Sequence, residues 1–421
     1  MNRLLAALLA AASCASVAHA QVAAPIEART PFTLGRALEL AAAAAPSLEG
    51  ASAGVRAAEA GRAVAALRPN PTVNLEAENV VGTGPYSGTE GMEATTSLAL
   101  PLELGGKRSA RVAVADARLD RAAIERAIAQ ADLRFAVTRA YGEATAADRR
   151  LANAREQLRI AIEAFRAADV RVRAGRASPI EQQRADVARI NAAAALERAQ
   201  RSAEVTRFTL SQRIGQPITG SFDQPWFDQV ERRYGPLLPP DPAGTLALAA
   251  ANADLASASA QVRLAKAQRV PDLTVSAGAR RLEATNDTAA VFSLSVPLPF
   301  FNGGGAALEH AHAERLRAEA QKRVTAQDVA QAIAEAQAEL ANAATSAATA
   351  TGPALAAAEE AARIARIGYR EGKFGQLDLL DAERTLAETR SNAIEALSAY
   401  HNAQAQLERL TARAPDQGDM Q

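Results

Sequence analysis

The sequence SLALPL at residues 97–102 decides the fold, because it recurs as SLSVPL at residues 293–298. Both stretches alternate large apolar residues with small or polar ones, and a period of two is typical of a β-strand whose faces differ. Each copy then leads through glycines, at 105–106 and 303–305, into a long alanine-rich stretch. The chain therefore contains two copies of a unit in which a strand is followed by a helix.

The duplication extends over nearly the whole chain. Two further pairs of segments recur in the same order, with a period of about 200 residues that is too long for a solenoid repeat. They are RPNPTV at 68–73 with RVPDLTV at 269–275, and GRASPIE at 175–181 with GKFGQLD at 372–378. Each half therefore reads helix, two strands, long helix, tight turn and helix. The predicted organisation is a signal peptide at 1–20, repeats at 21–215 and 243–412, a linker at 216–242 and a flexible tail at 413–421.

Alternation predicts four strands, at 71–81, 94–102, 272–281 and 290–298, with loops at 82–91 and 282–288. The pattern fits a membrane strand that has one face in lipid and one in a wet lumen. It fits equally a half-buried strand of a soluble sheet, and the strands alone favour that second interpretation. Because open strand edges cannot lie in lipid, four strands span a membrane only if several chains share one barrel. Three chains would supply twelve strands.

The helical stretches are too long for a globular domain. Residues 107–174 contain no proline, and residues 306–371 are interrupted only at Gly352-Pro353. At 1.5 Å per residue each helix would be about 100 Å long. Four helices of roughly half that length are predicted, at 33–68, 179–213, 245–269 and 377–410. Two short helices end to end match one long helix, which indicates a hollow tube of antiparallel helix pairs, with the linker 216–242 as a collar around its middle.

Composition and charge limit the kinds of partner. The chain has 47 basic and 47 acidic residues, so no net field attracts nucleic acid, and nucleic-acid binding is not expected. Aromatic residues make up only 4%, which is typical of closely packed alanine-rich helices rather than of a compact core. After residue 20 no run of about 18 apolar residues could form a membrane-spanning helix.

The first 20 residues are typical of a secretory signal. Arg3 precedes an apolar run at 4–12, and small residues flank His19 before a cleavage site that precedes Gln21. Cleavage there is favoured over a lipid-anchored N-terminus at Cys14, because residues 11–13 lack the usual leucine. Cys14 is the only cysteine, so the mature chain would carry no thiol chemistry.

No pattern of an enzyme or of a metal site is present. The glycines at 303–305 lack the lysine and the spacing of a phosphate-binding loop, nothing resembles a nucleophile triad, and no cofactor is expected. After the signal the histidines are His310, His312 and His401. The first two are two residues apart on a helix and point to different faces, so no metal site is predicted.

The duplicated plan resembles the outer-membrane efflux proteins, the TolC-like exit ducts of tripartite pumps. The stretch PLELGGKR at 101–108 is similar to the strand-to-helix junction of their heavy-metal branch, the CzcC-like proteins. The resemblance implies a mainly α-helical homotrimer with a twelve-stranded membrane β-barrel in outer-membrane lipid and a long periplasmic α-helical barrel. It implies a periplasmic adaptor protein and an inner-membrane transporter of the resistance-nodulation-division (RND) type as partners. It also implies export of heavy-metal cations of the cobalt, zinc and cadmium class.

The same resemblance places the two tight turns, 172–178 and 369–375, at the periplasmic tip, where the adaptor would dock. The docking residues would be Gly175, Ser178, Pro179, Gly372 and Gly375. Physically, the glycines at 175 and 372 permit the positive φ that ends a helix, and Ser178 can cap the helix that begins at Pro179.

The resemblance also implies a periplasmic gate. Asp378 and Asp381, three residues apart on one helix face, match a pair of aspartates that lines the entrance, and a trimer would gather six carboxylates there. Tyr369 and Glu181 match positions that latch neighbouring helices in the closed state. The residues by themselves favour a simpler interpretation, in which Asp378 and Asp381 are acids that stabilise the helix dipole.

Two other functions remain open from the sequence. The same type of duct could serve drug efflux or type I protein secretion, or the chain could be a periplasmic coiled-coil adaptor or scaffold. An adaptor normally has one helical hairpin flanked by β-domains, whereas this chain is duplicated.

Overall fold

The computed structural model describes residues 31–231 and 239–415, so the predicted signal peptide at 1–20 lies outside the described residues. The described chain is mainly α-helical, with four β-strands. Its elements, in chain order, are α1 Leu34–Ala44, α2 Pro46–Ala65, β1 Thr72–Glu78, a 3₁₀ turn Gly84–Tyr86, β2 Glu93–Leu102, α3 Lys107–Arg173, α4 Pro179–Ile214, α5 Gln224–Asp228, α6 Leu246–Gln268, β3 Leu273–Leu282, β4 Asp287–Ser295, α7 Gly305–Thr349, a π-helical segment Ala350–Ala354, α8 Leu355–Arg370 and α9 Gln376–Leu410.

The first predicted helix, 33–68, is two helices in the structure. Thr33 begins α1 as a cap, since its hydroxyl accepts a hydrogen bond from the Arg36 N–H at 3.3 Å. Ala45 then has extended backbone angles, φ −76° and ψ 112°. A residue before proline is biased away from the helical region, and Pro46 follows directly, so the helix stops and restarts here.

The strands form one antiparallel sheet in the order β1-β2-β3-β4. Its two hairpins, β1–β2 and β3–β4, are joined because β2 pairs with β3, with Leu100 opposite Val275. The fourth strand runs from 287 to 295 rather than from 290 to 298 as predicted. Asn286, with φ 56°, tightens the preceding turn, so the predicted loop 282–288 shrinks to 283–286.

The register gives the sheet two unlike faces. Val73, Leu98, Ala277 and Phe292 lie in one row across all four strands. This face is apolar and open: Val73 is 66% exposed and Phe292 80% exposed. The row that begins at Thr72 lies on the opposite face, where the side chains are small or polar. The alternation read from the sequence is therefore present, but the apolar side of the single chain is uncovered.

Helix α3 runs alongside two shorter helices in succession, as the helix lengths predict. Near its start, Asp116 pairs with Arg62 of α2 at 2.5 Å. Further along, Asp148 pairs with Arg207 of α4 at 2.8 Å. Helices α6 and α9 contact α3 in the same way from the second repeat. The buried residues along α3 are mostly alanines, which allow the helix axes to approach closely.

The second long helix differs from the first, because it is broken where the sequence has Gly352-Pro353. The segment Ala350–Ala354 is π-helical, and Gly352 has non-helical angles of φ −100° and ψ −105°. Proline lacks an N–H and crowds the preceding turn, which accounts for the break. No helix among the described residues is both long and apolar enough to cross a membrane.

Bulky side chains concentrate where the linker crosses the helices. Tyr141, Phe222 and Phe227 are fully buried there. The Tyr141 hydroxyl donates to the Phe32 carbonyl oxygen at 2.7 Å and accepts from the Asp223 N–H at 3.1 Å. Burial of this phenol raises the pKa of Tyr141 to about 12. The linker predicted at 216–242 is thus not only polar: it contributes α5 and buried aromatic rings to the middle of the molecule.

His401 belongs to this aromatic cluster. Its ring stacks on Trp226 at 4.2 Å between centroids, and its Nε2 lies 3.0 Å from the Phe227 carbonyl oxygen. Burial lowers the pKa of His401, which favours the neutral ring. Across residues 31–231 and 239–415, no group of three or more histidine, cysteine or acidic residues is arranged to hold a metal ion.

The predicted tail at 413–421 is partly ordered. Arg413 forms a β-bridge with Thr245, and the Ala414 N–H donates to the Gly244 carbonyl oxygen at 2.9 Å. The chain therefore stays attached beyond α9 through residue 414, and residues 416–421 lie outside the described part.

Candidate functional site

The first tip turn connects α3 to α4 through a Schellman motif. The Arg176 N–H donates to the Arg171 carbonyl at 2.9 Å, and the Gly175 N–H donates to the Val172 carbonyl at 3.0 Å. Gly175 supplies the left-handed conformation that this motif needs, with φ 68°. The two bonds satisfy carbonyls that the end of α3 would otherwise leave without partners.

The second tip turn, between α8 and α9, repeats the same motif. The Lys373 N–H donates to the Gly368 carbonyl at 2.8 Å, the Gly372 N–H donates to the Tyr369 carbonyl at 3.1 Å, and Gly372 has φ 70°. Here the ring of Phe374 also lies against α8 at Gly368. A Cβ at position 368 would come within 2.1 Å of that ring, so only glycine leaves room for it.

The two helices that follow the turns begin differently, and the prediction that the Ser178 side chain caps α4 is wrong. Ser178 occupies the position before Pro179, but its side chain makes no capping hydrogen bond. Its carbonyl instead accepts from the Glu181 N–H at 2.9 Å. At the start of α9 the Asp378 carboxylate accepts from the Gly375 N–H at 2.9 Å. The capping group is therefore the acid in the first turn of α9.

Asp378 and Asp381 both lie exposed near the start of α9. The hydrogen bond from Gly375 gives Asp378 the helix-terminal role that the residues alone favoured, and it fixes one carboxylate oxygen beside the turn. Asp381, one turn further, points to the same side of the helix as Asp378 by their spacing of three residues. Both carboxylates are therefore accessible at the same end of the molecule.

Tyr369 and Glu181 lie where the two tips contact each other. The Arg171 guanidinium of the first tip lies over the Tyr369 ring, 4.8 Å from its centroid. The Gln376 amide of the second tip donates to the Glu181 carbonyl oxygen at 2.8 Å. Arg171 and Gln376 were not among the predicted site residues, because contacts between residues so far apart in sequence leave no periodic signal.

Three polar atoms in this contact are buried without a hydrogen-bond partner among the described residues: the Tyr369 hydroxyl, Glu181 Oε2 and Gln376 Oε1. An unpaired buried polar atom is unfavourable, so such a cluster is more typical of a surface completed by another molecule than of a finished core. Above them, buried Glu383 of α9 forms a two-bond ion pair with Arg366 of α8, one bond of 2.9 Å, and holds these helices together.

The junction of strands and helices is a second cluster, formed by the stretch 101–108. The Asp272 carboxylate before β3 accepts from the Leu104 N–H at 3.1 Å and pairs with Lys107 at 2.7 Å. Glu103 forms a two-bond ion pair with Arg111, and that hydrogen bonding lowers the pKa of Glu103. For Asp272, burial opposes ionisation, but the bonds from Lys107 and from the Leu104 N–H outweigh it and lower its pKa.

Both glycines of this junction have positive φ, 69° at Gly105 and 72° at Gly106. Gly106 is the residue from which α3 starts, and Gly304, with φ 72°, starts α7 in the same way. A Cβ on Gly105 would lie 2.6 Å from the Val270 Cβ, so the chain there passes directly against the end of α6. The recurring glycines therefore allow the backbone to turn from the strand into the long helix in each repeat.

Comparisons with known proteins agree with this arrangement of two repeats. The family described as "Outer membrane efflux protein" matches the chain twice, over residues 37–216 and 243–413. The chain is 30% identical over 391 residues to the cobalt-zinc-cadmium resistance protein CzcC of Cupriavidus metallidurans, covering 92% of each chain. It is 29% identical over 308 residues to the nickel-cobalt-cadmium resistance protein NccC of Alcaligenes xylosoxydans xylosoxydans, covering 70% of this chain and 69% of that one.

Among solved structures, the open state of the Neisseria gonorrhoeae MtrE outer membrane channel superposes with a TM-score of 0.75. The alignment covers 90% of this chain and 89% of that one at 22% identity. At this identity the likeness concerns the fold alone, over nearly the whole length of both chains.

Proposed function

We propose, because this chain belongs to the outer membrane efflux protein family, that three copies of it form the exit duct of an efflux pump for heavy-metal cations. The family consists of channels and not of enzymes, and the chain is an outer-membrane channel component with a periplasmic helical tunnel. That membership excludes the alternative of a periplasmic adaptor. The trimer, its partners and its cargo are the proposed part.

The edges of the chain support assembly into a closed ring. The sheet ends in β1 on one side and β4 on the other, and neither outer edge is paired within the described residues. The helices form two layers that both include the long helix α3. In the layer next to the sheet the order is α2, α3, α6 and α7, and in the other layer it is α4, α3, α9 and α8. Each layer therefore presents an edge of the first repeat on one side and of the second repeat on the other. Such a head-to-tail contact forms a ring when the rotation between neighbouring chains closes, and a ring of three chains would have twelve strands.

The uncovered face of the sheet supports lipid contact. Val73, Leu75, Phe292 and Leu294 are all more than half exposed on the same apolar face. Strand edges in lipid must be paired, and a closed barrel pairs them all. Phe300 and Phe301, in the segment that connects β4 to α7 at the helix end of the sheet, are also strongly exposed. Aromatic residues are typical of that level in a membrane barrel.

For the gate, the proposal is that Asp378 and Asp381 of three chains line the periplasmic entrance. Both are exposed, and a ring of six carboxylates would attract cations to it. Tyr369 and Glu181 would latch neighbouring helices in the closed state, which would give their unpaired atoms partners. A periplasmic adaptor would dock on the two tip turns at Gly175, Ser178, Pro179, Gly372 and Gly375, and an inner-membrane RND transporter would supply the cargo.

The entrance is tested with charge-removing variants in planar bilayers. Asp378→Asn keeps an oxygen that can accept from Gly375, so it removes the charge with less damage to the cap than alanine would cause. In the proposed gate, the carboxylates of Asp378 and Asp381 help to hold the entrance narrow in the resting state. The double variant with Asp381→Asn should therefore raise the resting single-channel conductance, although the ring attracts cations less strongly. The exposed Glu371→Gln, beside the turn, is the matched control and should leave conductance unchanged. An unaltered conductance in the double variant would refute the gate.

The cargo is tested by deletion and complementation. Heavy-metal export is supported by the identity to CzcC and NccC, which are described as metal resistance proteins. Loss of the gene should lower tolerance to zinc, cobalt, cadmium or nickel, and the full chain supplied in trans should restore it. The remaining alternative is a duct for drugs or for type I secretion. Unchanged metal tolerance with lowered drug tolerance, or with loss of a secreted protein, would favour it.

A further inference from the structure

The outer end of the polar sheet face carries many acids and one arginine. In the row furthest from the helices, Glu78, Glu93 and Asp287 lie on this face. In the next row inward, Glu76 and Arg280 lie on the same face. The two rows therefore hold four carboxylates and one guanidinium in each chain. In a closed barrel with the apolar face in lipid, all five groups would face the lumen.

Arg280 bonds across three strands. Its guanidinium pairs with Glu93 at 2.7 Å and with Glu78 at 3.1 Å, and its Nε donates to the Thr95 hydroxyl at 3.0 Å. Glu78 and Glu93 lie directly opposite each other on neighbouring strands. Like charges in that position repel, so the guanidinium offsets a repulsion that the register creates.

The duplication makes this position informative. Thr274-Val275 of the second repeat corresponds to Thr72-Val73 of the first, so Arg280 takes the place of Glu78. Equivalent positions of the two repeats thus carry opposite charges, although Glu78 ends the outer strand β1 and Arg280 lies in β3 between two paired strands. Because the repeats differ here, the charge of Arg280 does not follow from the repeated sequence pattern and needs its own explanation.

We propose that Arg280 determines the charge selectivity of the outer end of the channel by neutralising part of its carboxylate lining. This inference rests on the proposed trimeric channel. With Arg280 the two rows carry four negative groups and one positive group per chain, a net charge of −3, and without it the net charge is −4. Arg280 limits how strongly exiting cations are held at the mouth, since a lining that binds too strongly slows release.

The test is the reversal potential of the full mature protein in planar bilayers across a KCl gradient, which needs no metal cargo. Arg280→Gln removes three positive charges from the ring of a trimer. At a distance of about 10 Å and a Debye length of about 10 Å in 0.1 M salt, this raises the local cation concentration about twofold. The same change in potential lowers the local chloride concentration about twofold. The ratio of potassium to chloride permeability should therefore rise about fourfold, and the shift should fade in 1 M salt.

Arg281→Gln is the matched control. Arg281 is the next residue of β3, it faces the opposite side of the sheet, and it bonds Glu283 and Asn286 instead. Its loss changes the net charge equally but should leave the reversal potential unchanged. Arg280→Lys should also leave it unchanged, because the charge remains, although the trimer should dissociate at a lower temperature. Glu78→Gln should shift selectivity toward chloride. If Arg280→Gln fails to insert, the double variant Glu78→Gln/Arg280→Gln removes the like-charge pair of Glu78 and Glu93 together with the arginine. Its permeability ratio compared with that of Glu78→Gln alone then gives the effect of Arg280, and equal ratios would overturn it.

The outcomes separate the two levels of the argument. Equal reversal potentials for the wild-type protein and Arg280→Gln, or an equal shift with Arg281→Gln, would overturn the role of Arg280 while the channel itself stands. Absence of any channel from the wild-type protein would overturn the proposed function instead.

Discussion

Gly105 and Gly106 offer a sharp test of why glycine recurs at the turn from sheet to helix. Both have positive φ, so alanine at either position costs about 1–2 kcal/mol for the left-handed conformation. At Gly105 the new Cβ would also lie 2.6 Å from the Val270 Cβ and 3.0 Å from the Ala267 carbonyl oxygen. Such overpacking adds about 1–3 kcal/mol. At Gly106 the nearest atom is the movable Ser109 hydroxyl at 3.3 Å.

We therefore expect Gly105→Ala to cost about 2–5 kcal/mol per chain and Gly106→Ala about 1–2 kcal/mol. The assay is thermal loss of the helical circular dichroism signal in detergent, with trimer dissociation on gels as a second readout. Combining Gly105→Ala with Val270→Gly removes the closest atoms, so the two changes together should cost less than their sum. Equal losses for the two glycine variants, or strict additivity with Val270→Gly, would refute the packing argument.

Three further predictions concern the helix tips and the two titrating groups. Gly368→Ala should speed trypsin cleavage after Lys373, because its Cβ would displace the Phe374 ring. The control Gly61→Ala, in α2 with an ordinary helical φ and nothing within 4 Å of the added Cβ, should not change cleavage there. Lowering the pH below about 6.5 should reduce thermal stability through His401, because burial lowers the pKa of His401 in the folded chain and only the unfolded chain then takes up the proton. His401→Gln should make the melting temperature less dependent on pH in this range. The pKa of Glu103 is lowered in the folded chain, so its ion pair stabilises the fold above pH about 4.5 and this stabilisation is lost as the pH falls through the folded pKa. Glu103→Gln should abolish the part of the decrease in melting temperature at acidic pH that is due to this ion pair.

The elements and their order follow from the sequence, because alternation, helix length and duplication are local or periodic signals. The strand limits follow less well. Residues 287–289, Asp-Thr-Ala, carry no large apolar side chain, so their alternation is invisible, yet pairing with β3 makes them strand. The break at Ala45 was missed because the apolar period continues across Pro46. Pairing and proline geometry here prevail over the pattern.

In the candidate site, the sequence predicts the position of each helix end and turn but not the contacts between the two turns. The spacing of Gly175 and Gly372 indicates where helices end, and both indeed form the same motif. Ser178 was expected to cap α4 because its residue type suits that role, but its side chain has no such bond, whereas Asp378 caps α9. The contacts of Arg171 with Tyr369 and of Gln376 with Glu181 join the two repeats, and no one-dimensional pattern encodes such pairs.

The two repeats differ in an orderly way. Where backbone geometry leaves no choice, both repeats keep the same residue: Gly106 and Gly304 before the long helices, Gly175 and Gly372 after them, all with φ near 70°. Where the backbone accepts several residues, the repeats diverge in chemistry. The equivalent residues Glu181 and Asp378 both lie in the first turn of a helix. Glu181 has a buried oxygen without a partner in the described part of the chain, whereas Asp378 caps its own helix.

The same divergence separates Glu78 from Arg280 on the sheet and the unbroken α3 from the interrupted α7 and α8. A ring of three chains would contain six repeats, with the first and second repeat alternating around one axis. Residues that both repeats share would then build a nearly sixfold wall, and residues that differ would appear only three times. The charges and unpaired polar atoms that distinguish one repeat from the other are therefore the positions where a threefold entrance or exit can be regulated without altering the wall itself.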